Sequence, residues 1–293
     1  MDDGRQKALT AGSVRVTDPL VSTDWLADRL EAPDLRLVDS SWFMPADGRD
    51  ARAEYEAAHL PGAVFFDIDE IADPDTDLPH MLPDPTRFSS RVRKLGLGDG
   101  VRIIAYDNNR FSASARVWWM FRVMGHEDIA VLDGGLAKWR AEGRPVDDLP
   151  VQPTERHFTA RLNNFLVRDL EQMRSNVTSR QEQVIDTRGA ARFSGSVAEP
   201  RAGLRAGHIP NARNLPVGDL VAEDGTLKDA QALTALFAAA GVDLERKLTT
   251  SCGSGVSAAV ASLALARLGR TDVALYDGSW TEWGSRPDTP VAR

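Results

Sequence analysis

The chain has 293 residues, 42% of them hydrophobic, which is enough for one large or two ordinary domains with cores of their own. Its formal net charge of -8 argues against a general affinity for nucleic acid or for an anionic membrane, so any anion site has to be local. A single cysteine, Cys252, cannot make an internal disulfide, and the five histidines (His59, His80, His126, His157, His208) show no metal-ligand spacing.

Residues 1–17 are polar, hold no apolar segment of signal-peptide length and read as a flexible tail. No later window is apolar for long enough to span a bilayer, and a cytoplasmic location is expected. Leu35-Arg36-Leu37-Val38-Asp39 leads into Glu54 to Ala63, which carries His59-Leu60-Pro61-Gly62. Val101 to Tyr106 reads as a buried strand, and Val131-Leu132-Asp133-Gly134-Gly135-Leu136 through Trp139 closes the first half. After a proline-marked stretch with little periodicity, the same signatures return in the same order. They are Gln183-Val184-Ile185-Asp186, then Gly207-His208-Ile209-Pro210-Asn211, then Ala274-Leu275-Tyr276-Asp277-Gly278-Ser279 through Trp283. We expect two similar domains, 18–149 and 167–293, joined by a linker at 150–166. Strand-like runs alternating with helical stretches such as Ala230 to Ala240 predict the α/β class, each domain a parallel sheet flanked by helices. His59 and His208 occupy one place in both halves although only one half has the cysteine, which assigns them to the fold. Asn211 follows the same proline as Gly62 and is a residue that tolerates a left-handed turn.

The segment Lys247 to Ala261 carries the chemistry: a strand, the turn Cys252-Gly253-Ser254-Gly255-Val256-Ser257, then an Ala-rich helix. Such a turn lies beyond the carboxyl end of a parallel strand, where open α/β sheets place their ligands. Gly253 and Gly255 let the backbone curl so that N–H groups form an anion nest at the helix's positive end. A lone cysteine is ordinarily a small buried hydrophobe, but a thiol in this setting is biased toward thiolate.

With these residues in place, the chain resembles the tandem-domain rhodanese family, on its mercaptopyruvate-using side, from about Pro19 to Pro287. The loop Cys252 to Ala258 carries the resemblance, together with Asp39-Ser40-Ser41-Trp42, His59 to Asp69, Arg116 to Phe121, Glu199-Pro200-Arg201 and Tyr276 to Trp283. The resemblance implies a sulfurtransferase in which Cys252 takes sulfur from a small-molecule donor and holds it as a persulfide. It would then deliver the sulfur to thioredoxin, a small thiol or cyanide, with no metal or organic cofactor. Gly253, Gly255, Val256 and Ser257 would cradle the sulfur. Arg192 and Arg201 match the family's carboxylate-binding pair, with Arg188 a nearby competitor of more structural appearance. Asp69, His80 and Ser254 match a set proposed to act as a triad; Ser254 could equally serve the cradle alone.

Three other functions each have a sequence feature against them. A cysteine phosphatase needs an arginine six positions after the cysteine, and Ala258 stands there. Thiosulfate is the alternative donor, disfavoured by the uncharged Gly253, Ser254 and Val256. A persulfide carrier without catalysis would have little use for Arg192 and Arg201.

Overall fold

The computed structural model describes residues 18–293; the expected tail at 1–17 lies outside them. The N-terminal sheet contains β1 (Leu20–Val21), β2 (Leu35–Asp39), β3 (Val64–Phe65), β4 (Arg102–Tyr106) and β5 (Ile129–Leu132), in the order β1-β5-β4-β2-β3. The C-terminal sheet contains β6 (Val167–Arg168), β7 (Glu182–Asp186), β8 (Arg213–Asn214), β9 (Lys247–Ser251) and β10 (Ala274–Tyr276), in the order β6-β10-β9-β7-β8. The two orders are the same when read along the chain, and every pairing is parallel. Each sheet has helices packed on it, the α/β architecture that its alternating elements dictate.

The middle strands are buried on both faces, so their sequences run apolar or small without alternation. Ile103 to Tyr106 in β4 and Leu248 to Ser251 in β9 are all buried. The threonines of β9 are kept satisfied, Thr249 by the Glu182 carboxylate and Thr250 by Ser262 Oγ at 3.0 Å.

Helices Ser112–Val123 and Ala258–Arg267, which follow β4 and β9, pack on one another across the domain boundary. Each is covered by its own sheet on one side and by the other domain on the other. Neither therefore has a polar face of the kind a surface helix shows, and Ala258 to Ala266 are buried without exception. A single apolar cluster runs through both domains, from Phe66 and Trp119 to Val260 and Leu263.

The linker is strapped down along its length. Asp99 N donates to His157 O at 2.8 Å, Thr159 hydrogen-bonds the Asp99 carboxylate, and Phe158 is buried. A Cβ at Gly98 would lie 2.2 Å from His157 O, so only glycine lets the strap lie this close. His59 Nδ1 meets Tyr55 O at 2.8 Å and His208 Nδ1 meets Phe193 O at 2.9 Å. Each histidine also forms a backbone bridge to the end of its own domain, with Asp147 and Ala292 respectively. Gly62 and Asn211 both turn left-handed, at φ 75° and 67°. Among the described residues no helix is long and apolar enough to cross a membrane.

Candidate active site

In the C-terminal sheet β7 and β9 are neighbours, but the chain leaves β7 toward β8 on one side and β9 toward β10 on the other. The two exits diverge and open a crevice beyond the carboxyl ends of the strands. Cys252 immediately follows β9 and is 2% exposed. Its turn is held by the start of the last helix, Ser279–Ser285. Cys252 N donates to Ser279 Oγ (3.2 Å), Trp280 N to Cys252 O (3.0 Å), and Thr281 N and Oγ1 both to Gly253 O (2.8 and 2.6 Å). By contrast, the backbone N–H groups of Gly253, Ser254, Gly255, Val256 and Ser257 donate to no atom among the described residues. Buried N–H groups are nearly always paired, so five successive free ones mark a place built for an external acceptor.

The corresponding turn of the N-terminal half shows what this loop shape does. There Asp107 follows β4 directly, is buried, and accepts from the N–H groups of Asn109 (3.1 Å), Phe111 (3.1 Å), Ala113 (3.2 Å) and Ser114 (2.8 Å). Loop donors converge on an anion carried by the residue after the strand. In that half the anion is the protein's own carboxylate; in the other the residue is a thiol.

Two guanidinium groups stand over the turn after β9. A Cβ built on Gly253 would lie 3.2 Å from Arg192 Nη2 and 4.0 Å from Arg201 Nη1. Arg192 comes from the short helix Ala190–Phe193 after β7, and is tied to Glu199 at 2.5 Å. Glu199 is itself 1% exposed and also pairs with Arg188 at 2.8 Å. Arg188 is buried, bound to Asp186 (2.7 Å), to Gly207 O (2.8 Å) and over the Trp280 ring (4.3 Å), so it serves the scaffold. Arg201 makes no hydrogen bond or ion pair among the described residues; its charge is felt at Asp69.

From the N-terminal domain come His80 and Asp69, joined at 2.7 Å through His80 Nδ1. Trp42 Nε1 donates to the other Asp69 oxygen at 2.8 Å, and the Trp42 ring meets His80 edge-on. With Nδ1 on the carboxylate side, the ring's other nitrogen, Nε2, is buried and without a hydrogen-bond partner among the described residues. Burial works to raise the Asp69 carboxyl, but the His80 and Trp42 hydrogen bonds and the Arg201 charge outweigh it and hold it below its ordinary range. A depressed carboxyl contributes stability above its ordinary range and loses it as pH falls through its lowered value. Ser254 is buried in the cradle, and among the described residues no hydrogen bond joins it to His80. The structure thus places Asp69 and His80 together, and Ser254 makes no hydrogen bond to either among the described residues.

Two residues with no role assigned from the sequence complete the site. Arg116, fully buried in helix Ser112–Val123, pairs with Asp277 at 2.7 Å and donates to His80 O (2.5 Å) and Gly255 O (3.4 Å). Asp277 also accepts from Leu82 N at 2.7 Å. One guanidinium therefore holds a segment from each domain against the cradle. Gly255 is left-handed at φ 79°, and a Cβ there would lie 2.9 Å from Asp277 O and 3.1 Å from Arg116 Nη1. Glycine is the residue that satisfies both constraints.

Residues 22–142 and 168–286 each match the family described as Rhodanese-like domain. The 3-mercaptopyruvate sulfurtransferase of Escherichia coli K12 is 42% identical over 272 residues, 92% of this chain and 96% of that protein. The thiosulfate sulfurtransferase of Rattus norvegicus is 41% identical over 283 residues, 94% of this chain and 95% of that one. Among solved structures, SseA from Escherichia coli, described as a 3-mercaptopyruvate sulfotransferase, aligns with a TM-score of 0.83 at 39% identity, over 90% of this chain and 99% of that one.

Proposed function

Because the chain belongs to the rhodanese-like family and is a sulfurtransferase, we propose that it takes sulfur from 3-mercaptopyruvate onto Cys252 as a persulfide, releases pyruvate, and passes the sulfur to an acceptor. The observation that carries this reading is the pair of guanidinium groups, Arg192 and Arg201, converging on Gly253 beside the thiol. A carboxylate anchored there brings a 3-carbon thiol's sulfur to the nucleophile, and positioning of that kind supplies much of the rate.

The Cys252 thiolate attacks the donor sulfur; an S–S bond forms, the C–S bond breaks, and its electron pair leaves on pyruvate as the enolate. The donor's own S–H proton becomes available when the new persulfide ionises, and it is the proton the enolate carbon needs. His80 Nε2, held by Asp69, is the group suited to carry it. The free N–H groups of Gly253, Ser254, Gly255, Val256 and Ser257 hydrogen-bond first the thiolate and then the persulfide anion. In this role Ser254 acts through the cradle rather than through a triad.

The acceptor is a thiol, either thioredoxin or a small thiol, or cyanide. The cytoplasm is the compartment proposed, because a thiol that must return unoxidised after each transfer is best kept in a reducing environment. Thiosulfate is the second reading, favoured by the 41% identity to a thiosulfate sulfurtransferase. The test compares kcat/KM for the two donors on purified protein, with mass spectrometry for one added sulfur on Cys252. Mercaptopyruvate is expected to be preferred, and a clear preference for thiosulfate would reverse the choice.

The two arginines are expected to separate by mutation. Arg201→Ala should lower kcat/KM for mercaptopyruvate by about 1–3 kcal/mol, one charge-assisted hydrogen bond, and leave the melting temperature unchanged. Arg192→Ala should cost a similar amount of activity and also lower the melting temperature, because the buried Glu199 loses one of its two partners. Wild-type kcat/KM in both variants would remove the carboxylate role.

A further inference from the structure

The turns after β5 and β10 hold the residues after β4 and β9 in the same way: Leu136 N donates to Asp107 O at 3.0 Å, as Trp280 N donates to Cys252 O at 3.0 Å. In each turn the preceding residue is left-handed, Gly135 at φ 56° and Ser279 at φ 49°. Glycine takes that conformation freely, whereas a residue with a Cβ is strained in it. The N-terminal half also has no room for a side chain, since a Cβ on Gly135 would lie 2.4 Å from Asp107 O. The catalytic half accommodates a fully buried serine at this point.

We propose that Ser279 is a positioning residue for Cys252, its hydroxyl fixing the backbone of the nucleophile so that the thiol sits at the mouth of its own cradle. The hydroxyl accepts the Cys252 N–H at 3.2 Å and donates to Tyr276 O at 2.8 Å, so its orientation is locked by the end of β10. The need for it follows from the comparison of halves. Asp107 fills its loop with a carboxylate that takes four N–H bonds and stiffens the loop from within. Cys252 cannot do this, because a thiol is a weak acceptor and the loop donors must stay open for sulfur. The catalytic loop has to be held from outside, at Cys252 N by Ser279, at Cys252 O by Trp280 and at Gly253 O by Thr281. Of these three supports, Trp280 N has its counterpart in Leu136 N, whereas the hydroxyls of Ser279 and Thr281 stand where the N-terminal half has Gly135 and Ala137, and the one at Cys252 N is the one on the nucleophile itself.

This rests on Cys252 being the nucleophile. The experiment uses the full chain, with Ser279→Gly copying the N-terminal turn and relieving the strain, and Ser279→Ala keeping the Cβ while losing the hydroxyl. Both are expected to fold, with kcat reduced by about 10–100-fold at little change in KM, the size of effect that misplacement of a reacting group produces. The pH profile of iodoacetamide alkylation at Cys252 should move to higher pH in both, since a displaced sulfur meets fewer N–H donors. Wild-type kcat and alkylation profile in Ser279→Gly, with Cys252→Ser inactive, would overturn this role alone. A rate loss accounted for by a lower melting temperature, with the alkylation profile unmoved, would overturn it as well. Activity surviving Cys252→Ser would take down the nucleophile assignment and this role with it.

Discussion

Cys252→Ser is expected to lower sulfur transfer from both mercaptopyruvate and thiosulfate by at least about 10³-fold, while leaving the fold intact. The donors differ in how they bind, but both must place their sulfur on the same atom, so one substitution removes both activities. Serine's hydroxyl is not ionised near neutrality, and no persulfide can form on oxygen. The structural cost is small because the change is nearly isosteric, and the buried hydroxyl has free loop N–H groups to accept from. Ser279 Oγ still receives the N–H of residue 252. Melting temperature should therefore stay close to that of the wild type, and the mass increase of one sulfur seen on the wild type after donor treatment should be absent. A variant retaining a tenth of wild-type activity would end the assignment of Cys252 as nucleophile.

The parts of this molecule legible in its sequence are those written locally. The two-domain α/β architecture follows from signatures that recur in order, and the strand, Gly-rich turn and helix around Cys252 lie in one continuous segment. Arg192 and Arg201 are findable through the family resemblance, since without it two arginines read as solvated surface side chains. What could not be read depends on contacts between distant segments. Arg116 sits beside Val117-Trp118-Trp119-Met120-Phe121, which reads as plain core helix, and the carbonyl it meets at Gly255 is 139 residues away. Glu199 drew notice only as the neighbour of Arg201, yet it is the buried acid that orients Arg192. In the sequence Asp107 is one more residue after a strand; that its carboxylate gathers four N–H groups is a fact of backbone geometry. Ser279 looked like one letter of a recurring Asp-Gly signature, and its left-handed φ has no sequence signal apart from Gly135 in the other half. Whether Ser254 hydrogen-bonds His80 is of the same kind, since the two lie in different domains that must dock before it is decided.

The second large effect is expected at the domain boundary. Arg116→Met should destabilise the protein by about 3–5 kcal/mol, because it leaves Asp277 charged and buried with only the Leu82 N–H as a donor from the other domain. Asp277→Asn should cost a comparable amount by stranding the guanidinium, which is fully buried against the Trp119 ring at 4.3 Å. The doubly substituted protein, Arg116→Met with Asp277→Leu, should recover part of the loss, since replacing both charges removes the uncompensated ion that either single change creates. Activity is not expected to recover with it. The Arg116 guanidinium holds Gly255 O of the cradle and His80 O beside Asp69, so it fixes the spacing between the loop and the imidazole to which the proposed mechanism gives sulfur binding and proton transfer. A double variant restored in chemical denaturation but still low in kcat would show that the N-terminal half contributes geometry to the reaction as well as bulk to the fold. Unchanged melting temperature and kcat in Arg116→Met would refute both parts. With no cysteine of its own and its own loop donors taken by Asp107, the N-terminal half would take part, in the proposed mechanism, through Arg116, which bonds both Gly255 O and His80 O.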